Sequence, residues 1–135
     1  MPISLRQALA IVEAGEKRAL QLNVPMAIAV VDEGGNLKAH HRMDGASLAA
    51  IEVSLGKAFS AAATNNSTAE LATQCQPGAP LYGLQNTHSG RIVIFGGGLP
   101  LHADGQLIGA VGTSGGTVAE DVIVAEAAAA AFSQV

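Results

Sequence analysis

Gly109-Ala110-Val111-Gly112-Thr113-Ser114-Gly115-Gly116-Thr117, running on into Val118-Ala119-Glu120-Asp121, is the stretch on which the reading of this chain turns. Its first part is an extended run of small residues and its last part opens a helix. Thr117 and Glu120 have the T-x-x-E spacing of a capping box, in which each side chain satisfies a backbone donor at the helix start. The glycines free the intervening turn to take positive φ and let another group approach the backbone closely. Such a turn offers N–H groups to an anion at the positive end of a helix dipole; it serves equally as a tight strand-to-helix connection.

Upstream of this stretch, Asp104-Gly105 is a strong hairpin signal between Leu99–His102 and Leu107–Val111. Ile92–Phe95 reads as a further short strand, with Gly96-Gly97-Gly98 as the turn after it. Gln76 to Gly90 carries two prolines and three glycines without periodicity and is expected to be a long irregular loop, of the kind that often carries function. Downstream, Val118 to Phe132 is a helix almost wholly of Ala and Val on its later turns, and a helix apolar all round implies a partner subunit.

Toward the N-terminus, Ser4 and Gln7 make a second capping box, and Leu5, Ala8, Leu9, Val12, Ala19 and Leu20 form a helical stripe running to about Leu22. Asn23 suits the left-handed cap and Pro25 forbids continuation. Met26–Val31 is a continuous apolar run, and after Asp32-Glu33-Gly34-Gly35-Asn36 a second extended segment spans Leu37–Met43, which together predict a hairpin with a doubly buried first strand. A second helix follows Asp44-Gly45-Ala46-Ser47, with Leu48, Ile51, Leu55, Phe59 and Ala62 expected to face the core. Asn65-Asn66 ends it, and Ser67 and Glu70 cap a short third helix. Strands joined by hairpins favour an α+β fold, an antiparallel sheet with helices on its faces.

Bulk properties narrow the function. At 135 residues the chain is expected to form one domain, residues 1–135. A net charge of −4, 3% aromatic residues and seven scattered Lys and Arg exclude the basic stripe and stacking platforms of a nucleic-acid binder. One cysteine, Cys75, permits no internal disulfide, and no zinc spacing occurs, so no metal centre is expected. The first helix, carrying Arg6, Glu13, Glu16, Lys17 and Arg18, is neither a signal-peptide core nor a membrane span, and a cytoplasmic location without membrane association is expected.

Val31-Asp32-Glu33-Gly34-Gly35, Arg42-Met43-Asp44-Gly45-Ala46, Gly56-Lys57-Ala58, Gly97-Gly98-Leu99-Pro100 and the opening stretch with Glu120-Asp121 occur in an order that resembles the GlcG/HbpS family. That family includes haem-binding proteins and the C-terminal domain of PduO-type cobalamin adenosyltransferases. The resemblance covers nearly the whole chain. It implies a profilin-like fold with a five-stranded antiparallel sheet between helices, a homo-oligomer, and haem or another tetrapyrrole as ligand. It also implies histidine ligation, for which the chain offers His40, His41, His88 and His102, none on the first helix, with Cys75 as a further thiol.

Several residues are candidates for chemistry. Lys57 shares a helix face with Ala50, Val53, Ser54, Ala61 and Thr64 and has no acid at the preceding third or fourth position. It can bind a carboxylate, act as a base if desolvation lowers its pKa, or stay a solvated surface lysine. Arg42 can grip a carboxylate bidentately with Asp44 orienting it, or the two can simply close the turn. Asp121 lies in a first helical turn, where the dipole favours an acid whatever its role, and Arg42 or Lys57 are the cations it could meet. Gly97-Gly98 and Ser114-Gly115 are expected either to wall a pocket or to serve as turns. His40 and His41, adjacent on a strand, must point to opposite faces.

Two ligand-directed functions fit this pattern, beside a purely structural or signalling subunit, which the apolar last helix suits equally well. One is an oligomeric binding protein for haem, another tetrapyrrole or an anionic metabolite, with Arg42, Asp44, Lys57, Gly97, Gly98, Ser114, Gly115 and Asp121 around the ligand. The other is a cofactor-independent isomerase, lyase or hydrolase of catabolism acting on a carboxylated small molecule. There Arg42 would hold the carboxylate, Lys57 or a histidine would move a proton, and backbone N–H groups near Ser114 would stabilise an enolate or oxyanion.

Overall fold

Capping chemistry sets the helix boundaries. In a computed structural model, which describes residues 2–132, Ser4 Oγ accepts from the Gln7 N–H at 3.1 Å while Gln7 Oε1 accepts from the Ser4 N–H at 2.9 Å. This box starts helix α1 (Leu5–Leu22), and Asn23, left-handed at φ 57°, closes it. Strands β1 (Ala27–Asp32) and β2 (Leu37–Arg42) form the expected hairpin, followed by helices α2 (Leu48–Thr64) and α3 (Thr68–Gln74). Two short 3-10 turns interrupt the long loop, and β3 (Gly98–Ala103), β4 (Gln106–Ser114) and α4 (Val118–Phe132) complete the chain. Asp104 and Gly105, both at positive φ (52° and 76°), make the β3–β4 turn, and the Thr117–Glu120 box starts α4.

The sheet has the order β2-β1-β4-β3, antiparallel throughout. Among the described residues it has four strands, one fewer than expected. Ile92–Phe95 does not pair with a strand: the Val93 N–H donates to Ser60 Oγ on α2 at 2.8 Å, and Ile92 buries itself against Leu71 and Cys75. The segment is a strap over α2, because a helix side chain takes the donor that a fifth strand would need.

Alternation along the strands divides the interior into two layers. Ile28, Val30, Val111 and Leu101 pack with Ile11, Val12, Val124 and Ala128 of α1 and α4. Ala29, Val31 and Ala110 pack with Ala58, Ala61 and Ala62 of α2. The expected inward stripe of α2 is therefore corrected in part: Ala62 is buried and Leu55 packs at the edge of the same cluster, but Leu48 is 78% exposed and the centre of the buried face is Ala50, Ser54, Lys57, Ala58 and Ala61. The cause is close packing of backbone on backbone. A Cβ built on Gly112 would lie 2.2 Å from the Ser54 carbonyl oxygen, and one on Gly98 would lie 2.5 Å from that of Lys57. Only the small-residue face of the helix fits against glycine strands at that separation. On α1 the buried face is Ala8, Ile11, Val12, Gly15 and Ala19, and Leu5 and Leu20 of the expected stripe are exposed.

Candidate functional site

Lys57 leaves the inner face of α2 beside Gly97, whose φ of 128° and missing side chain make room for it: a Cβ there would lie 2.7 Å from Lys57 Nζ. The lysine ends among groups of the opposite layer. Nζ donates to the Thr113 carbonyl at 2.8 Å and to Asp121 Oδ2 on α4 at 2.9 Å. The Phe95 ring lies over it, 5.0 Å from Nζ to the ring centroid. The Lys57 side chain is 0% exposed. Burial pulls the Lys57 amine below its ordinary range, and the bond and charge of Asp121 oppose this. Burial likewise raises the Asp121 carboxyl, against the bonds from Lys57 and the Gly116 N–H.

Asp121 also answers the question posed by the glycine turn. Its Oδ1 accepts from the Gly116 N–H at 2.9 Å, and Glu120 Oε1 accepts from the Thr117 N–H at 2.9 Å. The donors expected to face an external anion are held by the chain's own acids. Gly115, at φ 147°, is needed because a Cβ would lie 2.6 Å from the Pro25 carbonyl oxygen, and Ser114 is nearly buried in the sheet. Lys57, Gly97, Gly98 and Asp121 thus come together in a closed junction between layers.

Arg42 and Asp44 lie elsewhere, exposed, in a groove of about 600 Å³ with Glu16, Leu20, His40, His41 and Met43. The adjacent histidines do face opposite ways. His40 Nε2 meets Ser54 Oγ of α2 at 3.0 Å, and His41 Nδ1 pairs with Glu16 Oε1 of α1. A carboxylate only accepts, so His41 Nδ1 is the donor of this pair and Nε2 is the nitrogen turned away from Glu16. His102 Nε2 is engaged by Asn65 Oδ1 at 2.6 Å, and His88 bonds Thr87 and meets the edge of the Phe59 ring. Cys75 is buried. No group of three or more metal-binding side chains occurs among the described residues. The Glu16–His41 pair escaped the sequence reading because its members are 25 positions apart on different elements; the exposed Leu20 beside them was assigned to the core.

Burial first, and the charge of His41 second, hold the His40 imidazole below its ordinary value. A base with a depressed folded pKa excludes a proton that the unfolded chain takes up below about pH 6.5, so its contribution is complete above that value and is lost as pH falls through the folded pKa. The fall in Tm between pH 7 and pH 5 is expected to be smaller in His40→Asn than in the wild type. Equal falls by circular dichroism would rule this out.

The fold and this arrangement define a small α+β domain with a closed polar junction and an open histidine-bearing groove. The chain belongs to the HbpS-like family, whose model, described as haem degrading protein HbpS-like, matches residues 3–130. An uncharacterized 15.0 kDa protein in the dhaT-dhaS intergenic region of Citrobacter freundii is 48% identical over 132 residues, covering 98% of this chain and 93% of that protein. Corrinoid adenosyltransferase PduO of Citrobacter freundii is 40% identical over 133 residues, which are 98% of this chain and 40% of PduO. The chain therefore spans less than half of that relative. The crystal structure of a PduOC–heme complex superposes with a TM-score of 0.94 at 40% identity, covering 97% of this chain and 95% of the other. No helix among the described residues is long and apolar enough to cross a membrane.

Proposed function

We propose that this protein binds haem, with His41 as the iron ligand, in the groove between α1 and the end of β2. The observation that carries the reading is the Glu16–His41 pair on an open groove. A ligating histidine characteristically gives its second ring nitrogen to a carboxylate, which fixes the tautomer and raises the basicity of the free nitrogen. Of the four imidazoles, His41 has that partner; His40 and His102 use Nε2 on Ser54 and Asn65. Leu20, 70% exposed, and Met43 offer apolar surface to a porphyrin, and Arg42 offers a planar cation to a propionate. Membership of a family named for haem, and likeness to a heme-bound structure, support the same ligand. Haem, when bound, supplies iron redox and axial-ligand chemistry; the chain supplies the imidazole, its carboxylate support and the cation.

In this reading Lys57, Asp121, Gly97, Gly98, Ser114 and Gly115 build the frame that holds the sheet and α4 in place. A proton-transfer role for Lys57 draws less support, because its ammonium is closed off beneath Phe95. A homo-oligomer is supported by the exposed Val118 and Ile123 on the otherwise alanine-rich α4.

Titration of the purified protein with haem is expected to give a saturable Soret shift that His41→Ala abolishes and His102→Ala leaves intact. Glu16→Gln is expected to weaken binding about tenfold or more. Wild-type binding by His41→Ala would overturn the assignment.

A further inference from the structure

A second groove, of about 570 Å³, runs between the outward side of α2, the β1–β2 turn and residues 89–93. It shares no lining residue with the His41 groove. Its volume falls within the roughly 300–1,000 Å³ usual for small-ligand sites. Val31, Leu37, Val53, Leu55 and Val93 make its wall largely apolar, and Leu37 is 55% exposed there.

One fixed cation breaks this apolar lining. The Arg91 guanidinium lies over the Phe59 ring, 3.6 Å from its centroid. No carboxylate is within 4 Å of it among the described residues, where the ion pairs are Glu16–His41 and Lys57–Asp121. Its backbone is also tied down. Ser60 Oγ accepts from the Val93 N–H at 2.8 Å and gives its one proton to the Gly56 carbonyl oxygen at 2.6 Å, with the Arg91 carbonyl oxygen 3.3 Å away. Gly56 lets the strap lie directly on α2, since a Cβ there would meet Val93 Cγ2 at 2.7 Å. Next to this wall, His88 and Ser89 hold left-handed conformations at φ 54° and 56° and lead into Gly90 at 79°. Consecutive non-glycine residues in that region are costly and persist where surrounding contacts impose them, often at ligand-binding segments.

A planar cation held on an aromatic ring without an anion, on a residue that lines an apolar groove, matches an apolar molecule carrying one carboxylate. We propose that this groove binds a small monocarboxylate, its carboxylate on Arg91 and its hydrocarbon tail along Val53, Leu55 and Leu37. Glu52, on the same wall and unpaired with Arg91, sets a negative charge against a second carboxylate. The site therefore discriminates monocarboxylates from dicarboxylates. The contact with the Phe59 ring lowers the ordering cost of gripping the anion, because the guanidinium is already held in place.

Titration of ¹⁵N-labelled protein with hexanoate, followed by amide shifts, tests this. Saturable shifts are expected at Ser89, Gly90, Arg91 and Val93, with hexanoate binding about tenfold or more tighter than hexanol, hexylamine or adipate. Arg91→Gln is expected to remove that advantage over hexanol while leaving the other amides in place, and Arg91→Lys to recover part of it. Glu52→Gln is expected to bring adipate toward hexanoate. Equal affinity for hexanoate and hexanol, shifts centred elsewhere, or unchanged binding by Arg91→Gln would each overturn the proposal. Haem titration of Arg91→Gln is expected to match the wild type, which keeps this outcome separate from the His41 assignment.

Discussion

Lys57→Ala is expected to cost about 3–5 kcal/mol of folding stability, the usual penalty for removing one member of a buried ion pair. The loss arises mostly on the partner's side. Asp121 Oδ2 would keep its place beneath the sheet with no cation, and the Thr113 carbonyl would lose its donor. Truncation also leaves a gap beneath Phe95 and beside Gly97. The double variant Lys57→Met/Asp121→Asn is expected to lose well under the sum of the Lys57→Met and Asp121→Asn losses, because no lone charge remains buried. Urea unfolding followed by far-UV circular dichroism measures all four members of this cycle. A Lys57→Ala loss below about 1 kcal/mol would show that the junction does not support the fold as argued.

That result would also separate frame from binding surface. A lysine whose removal unfolds the domain while haem binding per folded molecule persists holds α2 to α4, two helices on opposite faces of the sheet. Its route between them passes the sheet at the Gly97–Thr113 junction, where the Thr113 N–H donates to the Gly97 carbonyl at 2.9 Å. Glycine there serves the lysine's passage as well as the turn. Closing the junction with Asp121 also satisfies the Gly116 donor, so one carboxylate supports both the glycine turn and the contact between layers.

Local chemistry made much of the fold legible. The boxes at Ser4 and Thr117, the left-handed Asn23, and the Asp104-Gly105 turn depend on residues within a few positions of each other, and their elements stand where the sequence put them. The inner face of α2 was not legible. Periodicity weights large apolar side chains, and here Phe59 lies under the 84–94 segment, Leu48 in solvent and Leu55 only partly buried, while alanines, Ser54 and Lys57 meet the sheet. The reason sits on Gly98 and Gly112, far along the chain. The missing fifth strand has a similar origin, since Ser60 on α2 takes the Val93 donor. Lys57, Asp121, Gly97 and Gly98 were each singled out by type and motif, yet nothing local shows that they converge. Arg42 and Asp44 sit instead in the groove of His41 and Glu16, a division made by the α1–β2 packing.

Gly112→Ala is expected to be as damaging as the loss of Lys57, although a single methyl is all it adds. The new Cβ would lie 2.2 Å from the Ser54 carbonyl oxygen and 2.5 Å from the Ala58 nitrogen, both backbone atoms of α2. Neither can rotate aside, so the helix must lift from the sheet. Overpacking of this kind costs about 1–3 kcal/mol and more where backbone has to move. Gly105→Ala is the control. Its Cβ would meet nothing within 4 Å, so its loss reflects the φ of 76° alone, about 1–2 kcal/mol. The two glycines therefore separate steric from conformational cost, with Gly112→Ala expected to show the larger fall in Tm by circular dichroism. Lifting α2 would also draw Lys57 away from Asp121 and Ser54 away from His40. Gly112→Ala/Lys57→Ala should then cost less than the sum of its parts, because the first substitution already weakens the pair that the second removes. Strict additivity would mean that α2 keeps its seat and that the sheet, not the helix, yields to the added methyl.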